Sequence, residues 1–194
     1  MSRFNEAYAE DIRNAVATLR RGGVILYPTD TIWGIGCDAG NSEAVRRVFA
    51  IKQRAEAKAL ITLVDSLAAL NRIVDEIPEV AEQLIEAAVE PVTIIYDKGV
   101  GVAPELLAGD GSIGVRLTRE EFSAQLCRAF GGPVVSTSAN ISGKDAPTNF
   151  CGISSEIIEA VDYVCTSRRE EKTGAKASSV IKISAGGLFK ILRK

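Results

Sequence analysis

Three polar clusters in this 194-residue chain have residue types and spacing suited to holding an anion. The first is Lys52-Gln53-Arg54-Ala55-Glu56-Ala57-Lys58. A guanidinium grips a phosphate or carboxylate with two parallel hydrogen bonds, and an ammonium acts as a point charge. Read as helix, Arg54 and Lys58 are four apart and share a face. The same cations could instead offset the negative end of a helix dipole. The second cluster is Ser136-Thr137-Ser138-Ala139-Asn140-Ile141-Ser142-Gly143, directly after the apolar Val134-Val135. Hydroxyls and an amide at a strand's C-terminal edge sit where open α/β sheets bind ligands. A polar turn capping its own backbone would use the same residues. The third is Ser112-Ile113-Gly114-Val115-Arg116. An arginine in an apolar strand needs its charge matched, by a structural ion pair or by a ligand carboxylate.

A fourth stretch, Tyr27-Pro28-Thr29-Asp30-Thr31-Ile32-Trp33-Gly34-Ile35-Gly36-Cys37-Asp38, runs from a strand into a loop of hydroxyls, a carboxylate, an indole and two glycines. Such a loop suits a small polar ligand. Gly109-Asp110-Gly111-Ser112-Ile113-Gly114 fits the dinucleotide expression G-x-G-x-x-G, but it leads into a strand instead of following one. No P-loop signature occurs. The segment 168–176 is the most charged and reads as a surface loop, with a mobile lid as the alternative.

Composition removes several chemistries. There is no histidine, which excludes Ser-His-Asp and Cys-His catalysis and histidine-ligated zinc. Cys37, Cys127, Cys151 and Cys165 form no C-x-x-C, so neither a zinc knuckle nor a thioredoxin-like site is expected. Their wide spacing and the polar start point to reduced thiols and a cytoplasmic protein. No apolar run reaches the roughly 20 residues of a membrane span. With net charge −2 and a pI near 5.4, nucleic acid could be held only by a local basic patch.

The elements that must position these residues follow from periodicity. Helices are expected over residues 7–19, from 41 or 42 onward, over 67–73, 79–89 and 120–130, and in the region from 148 or 149 to 160. Strands are expected over residues 24–27, 60–64, 92–96, 113–117, 134–136, 180–183 and 188–192. The alternation favours one α/β domain with a central mixed sheet and helices on its faces.

Taken in order, Pro28-Thr29-Asp30-Thr31-Ile32-Trp33-Gly34-Ile35-Gly36, Lys52-x-Arg54-x-x-x-Lys58 and Ser138-Ala139-Asn140 resemble the YrdC-like threonylcarbamoyl-AMP synthases. The similarity runs from about residue 22 to residue 193, in the family's short, single-domain form. It implies a twisted mixed sheet with a concave, positively lined cavity. It also implies synthesis of threonylcarbamoyl-AMP and pyrophosphate from L-threonine, bicarbonate and ATP. Transferase proteins that modify tRNA would then take up the product, and weak tRNA or RNA binding could accompany this. By position, Thr31, Arg116, Ser136 and Ser178 would hold threonine, Arg116 by its carboxylate. Lys52, Arg54 and Lys58 would be catalytic, and with Ser112, Ser138, Asn140 and Arg193 would face ATP. The family writes Ser-Thr where this chain has Ser178-Ser179.

The chemistry agrees with the residues. Joining a carbamate to the α-phosphate brings two anions together, which cations would ease without any histidine. Mg²⁺ would arrive on ATP; no carboxylate cluster suggests a protein metal cage, and no tightly bound cofactor is expected. The alternatives are an RNA-binding module of the same fold and a paralogue acting on another carbamoyl or acyl adenylate.

Overall fold

The structure, a computed structural model, describes residues 6–54, 60–171 and 177–193. Helix α1 (Ala9–Arg20) follows a 3-10 turn and buries Ile12, Ala15, Val16 and Leu19, the stripe expected of a 3.6-residue period. Gly22, at φ 78°, turns the chain into β1 (Ile25–Tyr27). Strand β2 (Gly34–Gly36) then forms inside the stretch read as loop. Helix α2 (Ser42–Ile51) is capped by Asn41, whose side chain accepts from Ala44 N at 3.1 Å.

This helix ends at Ile51, which corrects the helical reading of the Lys52 cluster. Gln53 takes φ 50°, a left-handed conformation that breaks the helical path, and Arg54 lies beyond it. Lys58 falls outside the described residues.

Strand β3 (Ile61–Val64), α3 (Leu67–Leu70), α4 (Glu79–Ala87), β4 (Val92–Tyr96) and β5 (Ile113–Leu117) follow. Helix α5 (Glu121–Phe130) begins at Glu120, whose carboxylate accepts from Phe122 N and Ser123 N, and stops at Gly131 with φ 80°. Strand β6 (Val134–Ser138) runs two residues past its expected end. The helical region after residue 148 is a 3-10 turn followed by α6 (Ser155–Ala160). Strands β7 (Tyr163–Val164), β8 (Ser179–Ile183) and β9 (Phe189–Arg193) complete the chain.

The strands form one mixed sheet in the order β7-β1-β2-β6-β3-β5-β4-β8-β9. One buried cluster gathers α1, α2, α5 and the strands β1, β2 and β6; another gathers α3, α4, β4 and β5. Register decides which side chains share a face. Gly34 pairs with Ser138, Ile61 with both Ser136 and Gly114, Ile95 with Gly114, and Leu63 with Arg116. Paired residues and those two apart point to the same side. Gly34, Ser136, Ser138, Ile61, Gly114, Arg116, Thr93, Val180 and Arg193 therefore lie on one sheet face. That face carries the site.

Candidate active site

Two adjoining chambers open on this face, of about 250 and 240 Å³, with Leu60, Ile61 and Arg193 common to both. Together they fall in the roughly 300–1,000 Å³ range of small-molecule sites. The first is lined by Thr31, Arg54, Arg116, Ser136, Ser138, Ser178 and Arg193, with Trp33, Thr137 and other neighbours. It contains three arginines and no carboxylate among its described lining residues. The second is mostly apolar, with Thr93, Ser112 and Arg193 as its polar members among the described residues.

Each wall has a local cause. The β1–β2 loop presents Thr31. Thr29 Oγ1 donates to Ile32 O at 2.8 Å and accepts from Thr31 N at 3.1 Å. Its one hydroxyl hydrogen is thus spent, so Thr31 Oγ1, 3.1 Å away, donates to Thr29. Thr31 then offers acceptor lone pairs to the chamber. Arg168, at φ 62°, donates to Thr29 O at 3.1 Å and pairs with Glu120 at 2.9 Å, which ties the loop to α5. Arg168 is therefore anchored; residues 172–176 of the suggested lid lie outside the described residues. Trp33 packs on Phe150 with ring centroids 4.9 Å apart, and Arg169 stacks over the same ring at 4.5 Å.

Arg116, at the end of β5, is only 4% exposed. Its Nη2 lies 3.1 Å from Asp30 Oδ1, and its Nε has no hydrogen-bond partner among the described residues. Burial raises the Asp30 carboxyl above its ordinary range, and the Arg116 charge offsets part of this. Ser178 is buried, shares a 2.9 Å hydrogen bond with Thr93 and accepts from Arg193 through its carbonyl at 2.9 and 3.0 Å. Its neighbour Ser179 begins β8 and does not line the chamber.

Lys52 and Asn140 are placed differently. The Lys52 side chain is 1% exposed and lines neither chamber. Its ammonium donates to Ser138 O, to Asn140 O at 2.8 Å and to Asn140 Oδ1 at 3.4 Å. Its carbonyl accepts from Ser142 N at 2.8 Å. Asn140 Nδ2 donates to Lys144 O at 2.6 Å. Lys52 is thus built into the base of the Ser138–Ser142 turn, while Arg54, two residues on and half-buried, faces the chamber. Burial, with the nearby Arg54 charge, pushes the Lys52 ammonium down to about 8. Burial also lowers Arg54.

Two contributors escaped the sequence reading. Gly114 is bare floor: a Cβ there would meet Thr93 Cγ2 at 3.8 Å and Ile95 Cγ1 at 4.0 Å, so a side chain would fit the protein and fill the chamber. A lone glycine within an apolar strand was its signal. Asp30 was visible in the sequence, but its partner is far along the chain.

Among the described residues no cluster of His, Cys, Asp or Glu could hold a metal ion, and no helix is long and apolar enough to cross a membrane. All four cysteines are free thiols; Cys37, Cys127 and Cys165 are buried and Cys151 is exposed. Burial raises the three buried thiols and makes them poor nucleophiles.

A cation-lined cavity on one face of an α/β sheet suits an anionic ligand such as a nucleotide or an acid. Comparison places it more closely. Residues 17–194 match the Sua5/YciO/YrdC family model, described as telomere recombination, and the chain belongs to that family. It is 40% identical over 144 residues to a threonylcarbamoyl-AMP synthase of Vibrio cholerae, covering 72% of this chain and 76% of that one. Escherichia coli YciO superposes with a TM-score of 0.82 at 26% identity, over 95% of this chain and 89% of that one. P. abyssi Sua5 complexed with L-threonine superposes with a TM-score of 0.78 at 28% identity, over 90% of this chain. The superposition spans about half, 51%, of that longer protein.

Proposed function

We propose that this protein is a threonylcarbamoyl-AMP synthase. The observation that carries the reading is a chamber whose described lining has three arginines, a row of hydroxyls and no carboxylate, adjoining a mostly apolar chamber with a bare glycine floor. Relatives named for this activity and a structural neighbour complexed with L-threonine support it.

The substrates are L-threonine, bicarbonate and ATP, the last carried with Mg²⁺ on its phosphates. Arg116, which lines the chamber, takes the threonine carboxylate by charge-assisted hydrogen bonding. Thr31, Ser136 and Ser178 surround the rest of the amino acid, and the acceptor face of Thr31 suits the amine. Threonine amine and bicarbonate join with loss of water, giving a carbamate. A carbamate oxygen attacks the α-phosphorus, its bond to the bridging oxygen breaks, and pyrophosphate leaves with the electron pair. Arg54 and Arg193 offset the charge that crowds this step, with Ser138 beside them. The apolar chamber, with Ser112 at its edge, takes the nucleoside. Lys52 supports the step indirectly by holding the turn that presents Ser138. Transferase proteins that act on tRNA would consume the adenylate, in the cytoplasm.

The test is pyrophosphate release by the purified protein with ATP, Mg²⁺, bicarbonate and L-threonine, each omitted in turn. Release should require all of them. Release that ignores threonine, or prefers another amino acid, would contradict the assignment.

A further inference from the structure

Arg168 lines neither substrate chamber, yet it grips the loop that supplies part of one. It borders instead a small cavity of about 60 Å³, together with Thr29, Thr31 and Trp33. Its guanidinium is engaged through all three nitrogens. Nε and Nη2 hold the two oxygens of Glu171 at 2.7 Å each. Nη1 donates to Glu120 Oε1 at 2.9 Å and to Thr29 O at 3.1 Å. Glu120 in turn caps α5, accepting from Phe122 N and Ser123 N. The fork therefore joins the start of α5 to the β1–β2 loop.

We infer that Arg168 is a positioning residue for L-threonine: it fixes the Thr29 carbonyl, and with it the turn that presents Thr31 to the substrate. This rests on the threonine-binding role proposed above for Thr31. Thr29 connects the two residues. Its carbonyl takes the Arg168 bond, while its hydroxyl accepts from Thr31 N at 3.1 Å and lies 3.1 Å from Thr31 Oγ1. A guanidinium is a rigid planar fork, so pinning its other nitrogens to carboxylates fixes the direction of the bond to Thr29 as well as its length. The acceptor face that Thr31 offers the amine is thus set by contacts that lie outside the chamber.

Arg168 is itself held, and in a costly conformation. Its φ of 62° lies in the left-handed region that side chains rarely adopt. The two residues before it are fixed by Asp11 of α1, a buried carboxylate that accepts from Thr166 N at 2.9 Å and from Ser167 N at 2.5 Å. The residue after it, Arg169, donates to Cys165 O at 2.7 Å and to Val164 O at 2.9 Å. Strained backbone persists where its surroundings over-determine it. An ion pair with Glu171 alone would require neither that backbone nor the reach to Thr29.

The experiment compares wild type with Arg168→Gly and Arg168→Lys. Glycine accepts the left-handed backbone, so it removes the side chain without adding strain, and Tm should change little. The KM for L-threonine should rise about fivefold or more, because the substrate must then order Thr31. The KM for ATP should move less than about twofold. Arg168→Lys keeps the charge without the fork and should recover part of the loss. Hydrogen exchange at the Thr31 amide gives a readout independent of turnover. It should be about tenfold faster in Arg168→Gly, while the amides of β5 exchange as in wild type. An unchanged or lowered threonine KM, or unchanged exchange at Thr31, overturns the inference. So does an equal rise in both KM values with a large fall in Tm, since that is a folding defect. If wild type shows no threonine-dependent release, the functional reading fails separately, and Thr31 exchange in Arg168→Gly alone decides whether Arg168 holds the loop.

Discussion

Two buried cations, Lys52 beneath the Ser138–Ser142 turn and Arg116 at the end of β5, are nearly equally hidden yet differently served. Lys52 is 1% exposed and spends its ammonium on three fixed protein oxygens. Arg116 is 4% exposed, lines a cavity, and leaves its Nε without a hydrogen bond among the described residues. Burying a charge is costly unless its hydrogen bonds are met. A cation fully met by the protein is scaffold; one met in part is completed by something else. The difference separates the residue that shapes the site from the residue that binds in it.

The comparison can be broken most sharply at Arg116. Arg116→Gln should lower kcat/KM for L-threonine by about a hundredfold or more, through loss of a charge-assisted, desolvated contact. A loss below fivefold in steady-state pyrophosphate assays would remove Arg116 from the substrate. Next in size is Gly114→Val. Valine suits a strand and its Cβ would meet only ordinary van der Waals contacts, so Tm should hold, while kcat/KM for ATP falls about thirtyfold because the chamber floor is filled. Retained ATP kinetics would move the nucleoside elsewhere. Arg54→Ala should cost about tenfold in turnover with the fold kept, as expected of a chamber cation.

Lys52→Met should act differently, since it removes a donor from three turn oxygens. We expect a stability loss of about 2 kcal/mol in urea unfolding, accompanied by lower activity. Lost activity with unchanged stability would make Lys52 a direct substrate ligand instead. The smallest effect is on pH dependence. The folded Lys52 ammonium sits near 8, below its unfolded value of about 10.4. Between those values the unfolded chain holds more protons, so this group's contribution to stability grows as pH rises. The stability difference between wild type and Lys52→Met should therefore shift in favour of wild type from pH 7.5 to pH 10. A flat or opposite trend would show that the ammonium is not held as described.

Much of this frame is legible in the sequence because it rests on local periodicity. The α1 stripe, the Asn41 cap, the Gly131 stop and the strands Val92–Tyr96 and Ile113–Leu117 follow from patterns within a few residues. Strand β2 did not, because Gly34-Ile35-Gly36 has no alternating pattern and draws its strand character from pairing with β1 and β6. Strand β7 is two residues long and depends on parallel pairing with Ile25 and Leu26. The motifs bring most of the expected site residues to one cavity, since strand ends and loops on one sheet face converge there. The fate of Lys52 was hidden because motif spacing says nothing about which carbonyls lie beneath an ammonium. The Asp30–Arg116 contact was hidden because its partners come together only when β1 and β5 enter the same sheet.

The most direct measurement is calorimetric titration of L-threonine and of L-threoninol, which has a hydroxymethyl group in place of the carboxylate, into wild type and Arg116→Gln. Wild type should bind threonine and discriminate strongly against threoninol, and Arg116→Gln should lose that discrimination. Equal binding of both by wild type would contradict the account, because Arg116 would then not be a carboxylate site.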